Sequence, residues 1–203
     1  MARLREKQMQ RRKLEILRAG KELFDDKGYQ ATTVEEIAER AEVALATVYS
    51  HYKSKADILL SILQQNMKEI LQKGEEFLND PPSDFVEAAS GLLNIYFEEL
   101  IYRHNYRTLL KEIMVMVAEQ PIYTGETIKL DLSIVAQLAA LVCQFQRRKL
   151  ITSEVKPEEV ANLIYPSTFF TFELYVFDIE ENLDTMKSQV QRQIQIILRG
   201  LRP

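Results

Sequence analysis

The segment Thr32–Lys55, TTVEEIAERAEVALATVYSHYKSK, leaves this chain few choices. It reads as two short helices joined by a tight turn, followed by a basic elbow into a third. Thr33 and Glu36 have capping-box spacing: the Thr oxygen accepts the Glu36 backbone N–H while the Glu reaches back to the Thr33 N–H. Val34, Ile37, Ala38 and Ala41 then recur at three- and four-residue steps, the helical period. Glu42-Val43-Ala44 is the turn, with Val43 its one large apolar group. Leu45 to Tyr52 is the second helix, with Val48 facing inward. Ser54-Lys55-Ala56-Asp57 repeats the capping-box pattern and starts the third.

Upstream, residues 13 to 27 predict a helix with Ile16, Ala19, Gly20, Leu23, Phe24 and Lys27 on one face. Gly28 suits the left-handed position after it. Phe24 and Tyr29 read as core. Residues 1 to 12 read as a frayed or partly helical arm. Net charge is −4 overall, but residues 1 to 55 carry 12 positive and 9 negative side chains, which leaves −7 for the rest. A basic end on an acidic body orients a protein on a polyanion.

Two short helices around a tight turn form a helix-turn-helix, whose second helix lies in the DNA major groove. Phe24, Gly28-Tyr29, Ala31 to Val34, Ile37-Ala38, Ala41, Val43, Thr47 to Tyr49, Tyr52-Lys53, Lys55 and Leu59 together resemble the tetracycline-repressor (TetR) family of bacterial regulators. The resemblance covers roughly residues 12 to 60. It implies an all-α protein of about nine helices, with a three-helix DNA-binding domain over 1–55 and a ligand-binding, dimerising helical domain over 56–203.

By that resemblance, Ala44, Leu45, Ala46 and Thr47 meet base edges, while Tyr49 and His51 meet phosphates. Thr47 is able to hydrogen-bond a base or offer its methyl to thymine; Leu45 and Ala46 offer apolar contact only. Thr32 and Thr33 start a helix, where N–H groups and the dipole favour a phosphate. Lys53 and Lys55 are simple phosphate partners, and Tyr52 completes the expected contact set. Three residues depart from the usual pattern: Glu42 where Gly is commonest, Ala44 where Ser or Thr caps the reading helix, and Leu45-Ala46 in place of a polar-Gly pair. They leave base readout poor in hydrogen bonds, so specificity is expected to lean on Thr47, the arm and DNA shape.

Beyond the head, residues 54 to 79 predict a long apolar-faced helix, ended by Asn79-Asp80-Pro81-Pro82 and suited to act as a lever between domains. Five more helices are expected over 84–103, 105–119, 126–149, 157–178 and 183–200. Pro166 is expected to kink the fourth of these. Residues 160 to 177 are apolar nearly all round, so that helix needs more than one partner. The resemblance implies that the last two helices pair with their copies across a two-fold axis, with Phe172, Val176, Met186, Val190, Ile194 and Ile197 at the homodimer interface. It also implies a cavity for a small lipophilic or aromatic effector. Tyr96, Met114, Val117, Gln137, Phe145, Tyr165, Thr168 and Phe169 are its expected lining.

Other classes find little support. His51, His104 and Cys143 are far apart, so no grouping has metal-ligand spacing, and Cys143 reads as a small buried hydrophobe. No phosphate-cradling Gly-rich loop or Gly-x-Ser-x-Gly elbow occurs, so neither an enzyme nor a cofactor is expected. No apolar run of about 18 residues is read and no secretory signal leads the chain, so no transmembrane span or membrane partner is expected and the cytoplasm is the natural compartment. The expected function is an effector-released repressor on operator DNA. The alternative is an architectural DNA-binding protein without an effector.

Overall fold

The computed structural model describes residues 2–101, 110–111, 121–177, 179 and 182–201. Among these, all regular structure is helical: α1 Ala2–Lys27, α2 Val34–Arg40, α3 Leu45–His51, α4 Lys55–Phe77, α5 Phe85–Ile101, α6 Pro121–Arg147, α7 Pro157–Val176 and α8 Leu183–Arg199. The all-α expectation holds, with eight helices described. The helix expected over 105–119 and His104 lie almost wholly outside the described residues. The chain divides into two compact units, one of Met1–Lys68 with Arg103–Glu112, the other of Glu69–Tyr102 with Ile113–Pro203.

In the first unit, the arm expected to fray is helical from Ala2, and α1 is one continuous rod. Ile16, Ala19, Leu23 and Phe24 are buried along its inner face, as their spacing predicts. Gly20 permits close approach, since a Cβ there would lie 2.9 Å from Ile58 Cγ2. The helix stops at Gly28, whose φ of 86° closes the last turn with a 3.1 Å bond from its N–H to the Phe24 carbonyl. Both halves of the α2 capping box form: the Glu36 N–H reaches Thr33 Oγ1 at 3.2 Å, and the Thr33 N–H reaches Glu36 Oε2 at 2.8 Å. At α4, Ser54 Oγ accepts the Asp57 N–H at 3.1 Å, and the Asp57 carboxylate accepts the Lys53 N–H at 2.9 Å. Ile58, Leu59 and Ile62 are buried, which is why the first turns of α4 belong to this unit and the division falls beyond residue 55.

In the second unit, α6 lies along α7, α7 against α8, and α5 against both α8 and α6. Phe97 of α5 stacks on Phe172 of α7 at 4.6 Å between ring centres. α6 begins at Pro121, earlier than expected, because proline at a first helical position sacrifices no hydrogen bond. α7 continues through Pro166. Around it the hydroxyls of Ser167 and Thr168 bond back to the carbonyls of Leu163, Ile164 and Tyr165 at 2.9–3.0 Å. Asn182 caps α8 by accepting the N–H groups of Asp184 and Thr185 at 2.8 and 3.1 Å. Within α6, Ile128–Arg147 is apolar and long enough to cross a membrane by length and composition. It nevertheless carries Lys129 and Asp131 and buries Leu138, Leu141, Val142 and Phe145 as a core helix does.

Candidate functional site

The turn between α2 and α3 decides what the head presents. Glu42 adopts φ 55°, the left-handed conformation. Its N–H meets the Glu39 carbonyl at 3.0 Å and the Val43 N–H meets that of Ala38 at 3.0 Å, the two bonds of a Schellman ending. Val48 and Ile37 are fully buried beneath, and Val43 is half-buried. This arrangement turns Leu45, Ala46, Tyr49 and Ser50 outward, with Tyr49 49% exposed. Thr47 and His51 are half-buried, and the Ser50 hydroxyl donates to the Thr47 carbonyl at 2.7 Å. Ala44 stands at the α3 N-cap with no side-chain bond to the helix, so the departure noted in the sequence leaves that end uncapped. Thr33 and Lys53 are also exposed.

Three expected DNA contacts are placed otherwise. Thr32 is buried: its hydroxyl donates to the carbonyls of Gly28 at 2.8 Å and Leu23 at 3.3 Å, tying the loop to α1. Tyr52 is only 4% exposed, with Lys13 Nζ 5.9 Å from its ring centre. Its phenol oxygen meets no partner among the described residues, and burial pushes its pKa up. The Lys55 ammonium faces inward onto backbone carbonyls, with Tyr29 O at 2.6 Å and Thr32 O at 2.8 Å.

Charged side chains of α1 and α2 pair at the surface. Lys27 pairs with Glu36, and Arg40 reaches Glu22 at 3.3 Å. The hydrogen bond from Lys27 holds the Glu36 carboxyl down to about 2, helped by the Thr33 N–H.

Those expected effector residues that are described lie in the second unit. The buried Tyr96 hydroxyl donates to Gln137 Oε1, and Gln137 Nε2 donates to the Leu71 carbonyl at 2.9 Å. Gly74 makes room for this pair, since a Cβ there would overlap both the Gln137 oxygen and the Tyr96 hydroxyl. A glycine inside a helical pattern was the available signal for that close approach. Tyr165 stacks on Phe169 at 5.6 Å and donates its hydroxyl to Asp131 Oδ1 at 2.7 Å. Burial raises the pKa of Asp131 against the lowering effect of that bond, and burial with the nearby Asp131 raises Glu173. Neither carboxylate stood out in the sequence. Thr168 is buried with its hydroxyl bonded within α7. Phe145 pairs instead with Phe85, edge to face at 5.2 Å. Met114 and Val117 lie outside the described residues. Among the described residues no group of three or more His, Cys, Asp or Glu could hold a metal ion.

The expected dimer residues need correction. Phe172, Val176, Met186, Val190 and Ile194 are buried within the unit's own core, and Ile197 is half-buried. The strongest apolar stripe of α8 faces its own body, because intramolecular burial claims the best stripe first. The outward apolar side chains of α7 and α8 are Leu163, Phe170 and Ile196, with Phe170 59% exposed.

A Thr-capped helix, a left-handed turn and a short helix with an exposed front define a helix-turn-helix head. Residues 16–62 match the family described as bacterial regulatory proteins, tetR family. Over these residues the chain is similar to that family. It is 30% identical over 93 residues to the HTH-type transcriptional repressor KstR2 of Mycolicibacterium smegmatis, covering 46% of this chain and 45% of that one. It is 29% identical over 99 residues to the fatty acid metabolism regulator protein of Bacillus subtilis, covering 49% and 50%. The chain thus spans about half the length of these curated relatives. Its fold follows that of the Thermus thermophilus FadR, a TetR-family transcriptional repressor in complex with lauroyl-CoA, with a TM-score of 0.73, 18% identity and coverage of 93% and 94%.

Proposed function

We propose that this protein is a homodimeric transcriptional repressor that binds operator DNA through α2 and α3 and is released by a small lipophilic effector held in the second unit. The observation that carries the reading is the exposed front of α3, Leu45, Ala46 and Tyr49, together with the exposed Thr33 and Lys53. The outward Leu163, Phe170 and Ile196 supply an apolar face for a second copy, and a two-fold pair suits half-sites about 34–36 Å apart. α4 starts in the first unit and ends in the second, a continuous element through which effector and DNA are able to bias one another. The names of the relatives, one a fatty acid metabolism regulator and one bound to lauroyl-CoA, make long-chain acyl-CoA the first effector class to try.

The test is a titration of the protein on duplexes enriched from a random-sequence pool, with unselected DNA as control, at two salt concentrations. The expected result is tight binding that resists salt better than the control and weakens by about 5–150-fold with acyl-CoA. Equal binding to both duplexes would leave an architectural protein. Selective DNA binding untouched by acyl-CoA and by other lipophilic compounds would remove the effector half.

A further inference from the structure

Lys55 is the first residue of α4, and its side chain crosses back to the loop between α1 and α2. Its ammonium donates to the carbonyls of Tyr29 at 2.6 Å, Thr32 at 2.8 Å and Gln30 at 3.4 Å. It also lies 4.3 Å from the centre of the Tyr29 ring. Three hydrogens thus meet three converging backbone oxygens above an aromatic face. Those oxygens would repel one another without a cation between them. Thr32 is the residue before the exposed N-cap Thr33, so the loop that Lys55 gathers sets where α2 begins.

Resting on the DNA-binding reading above, we infer that Lys55 is a positioning residue: it fixes the α1–α2 loop and thereby the end of α2 that meets the phosphate backbone, and does not itself bind a phosphate. The alternative role carries a cost. An ammonium that turned to DNA would abandon three charge-assisted bonds and a cation–π contact. Lys53 is the contrast two residues earlier, because its side chain is exposed. The device ties the start of α4 to the start of α2, so a displacement of α4 is passed on to the phosphate-facing end of the head.

The salt dependence of operator binding separates the two roles. A side chain that neutralises one phosphate contributes about 0.9 to the slope of log affinity against log salt. Operator duplexes enriched by the wild-type protein are titrated with the wild type and with Lys53→Ala, Lys55→Met and Lys55→Arg. Lys53→Ala is expected to flatten the slope by about 0.9. Lys55→Met is expected to weaken binding about tenfold with the slope unchanged. Lys55→Arg keeps the charge but its planar fork does not match three converging carbonyls, so it too is expected to bind several-fold more weakly. A flattened slope in Lys55→Met, or full affinity in Lys55→Arg, overturns the inference. Should Lys55→Met fail to fold, as judged by circular dichroism, Lys55→Arg decides. A wild-type protein that selects no duplex overturns the DNA-binding reading, and the inference with it.

Discussion

The two ends of this chain solve the same problem in opposite ways. Around α2 and α3, the caps and the turn are set by neighbours a few residues away: Thr33 by Glu36, the Glu42 N–H by the Glu39 carbonyl, Ser54 by Asp57. In the second unit they are placed by partners on other helices: Tyr96 by Gln137, Tyr165 by Asp131, Thr171 by Gln193. Local placement leaves an exposed front; distant placement makes an interior. The head therefore tolerates changes along its surface, whereas the body couples each side chain to several elements.

The largest effect expected from this contrast comes from two phenylalanines two residues apart on opposite sides of α7. Phe172 is 1% exposed and stacks on Phe97, while Phe170 faces outward. Phe172→Ala is expected to cost about 3–5 kcal/mol in denaturant unfolding, through lost burial and the cavity left behind. Phe170→Glu is expected to change secondary structure little and to shift sedimentation from dimer to monomer. A monomer-sized wild type would remove this face from the assembly argument.

Gly74→Ala comes next. The added methyl collides with the Tyr96–Gln137 pair, and overpacking of this kind costs about 1–3 kcal/mol. The gain in helix propensity, about 1 kcal/mol, offsets part of it. A neutral result would mean that the pair moves aside freely, and the body would be looser than its hydrogen bonds imply.

Glu42→Gly has the opposite sign and a smaller size. A non-glycine residue in the left-handed conformation costs about 1–2 kcal/mol, and glycine returns part of that as unfolded-state entropy. The expected gain is about 0.5–1 kcal/mol in thermal or denaturant unfolding. Loss of stability would show that the Glu42 side chain contributes more than its backbone conformation costs.

The same contrast explains what was legible in the sequence. Caps and turn residues act over three or four positions, so the box at Thr33, the Ser54 cap and the departure from Gly at Glu42 could be read directly. So could the inner faces of α1 and α4, because helical periodicity records burial. Periodicity does not say who does the burying. Val190 and Ile194 read as a dimer seam and are the body's own core, while the outward Phe170 shares a segment that is apolar all round. Nor does a contact motif separate a side chain that touches a partner from one that shapes the contact. Thr32, Tyr52 and Lys55 carry the motif, yet they are bonded or packed within the head.

Acid should act with opposite signs on the two regions. The Glu36 carboxyl is held down to about 2, chiefly by the Lys27 hydrogen bond, against an ordinary value of 4.5. The unfolded chain then binds the proton first, so the contribution of Glu36 is present above pH 4.5 and is lost as pH falls towards about 2. Asp131 and Glu173 are raised, both chiefly by burial. There the folded state binds protons more readily, so their contribution grows as pH falls through the raised values towards the ordinary carboxylate range. Amide protection factors at pH 3.5 and pH 6, which divide out intrinsic exchange, are expected to fall in α2 and to hold or rise around the meeting of α6 and α7. Glu36→Gln should flatten the first response and leave the second. A parallel loss of protection in both regions, unaltered by that substitution, would mean that global charge repulsion governs acid stability and that these local pairings do not.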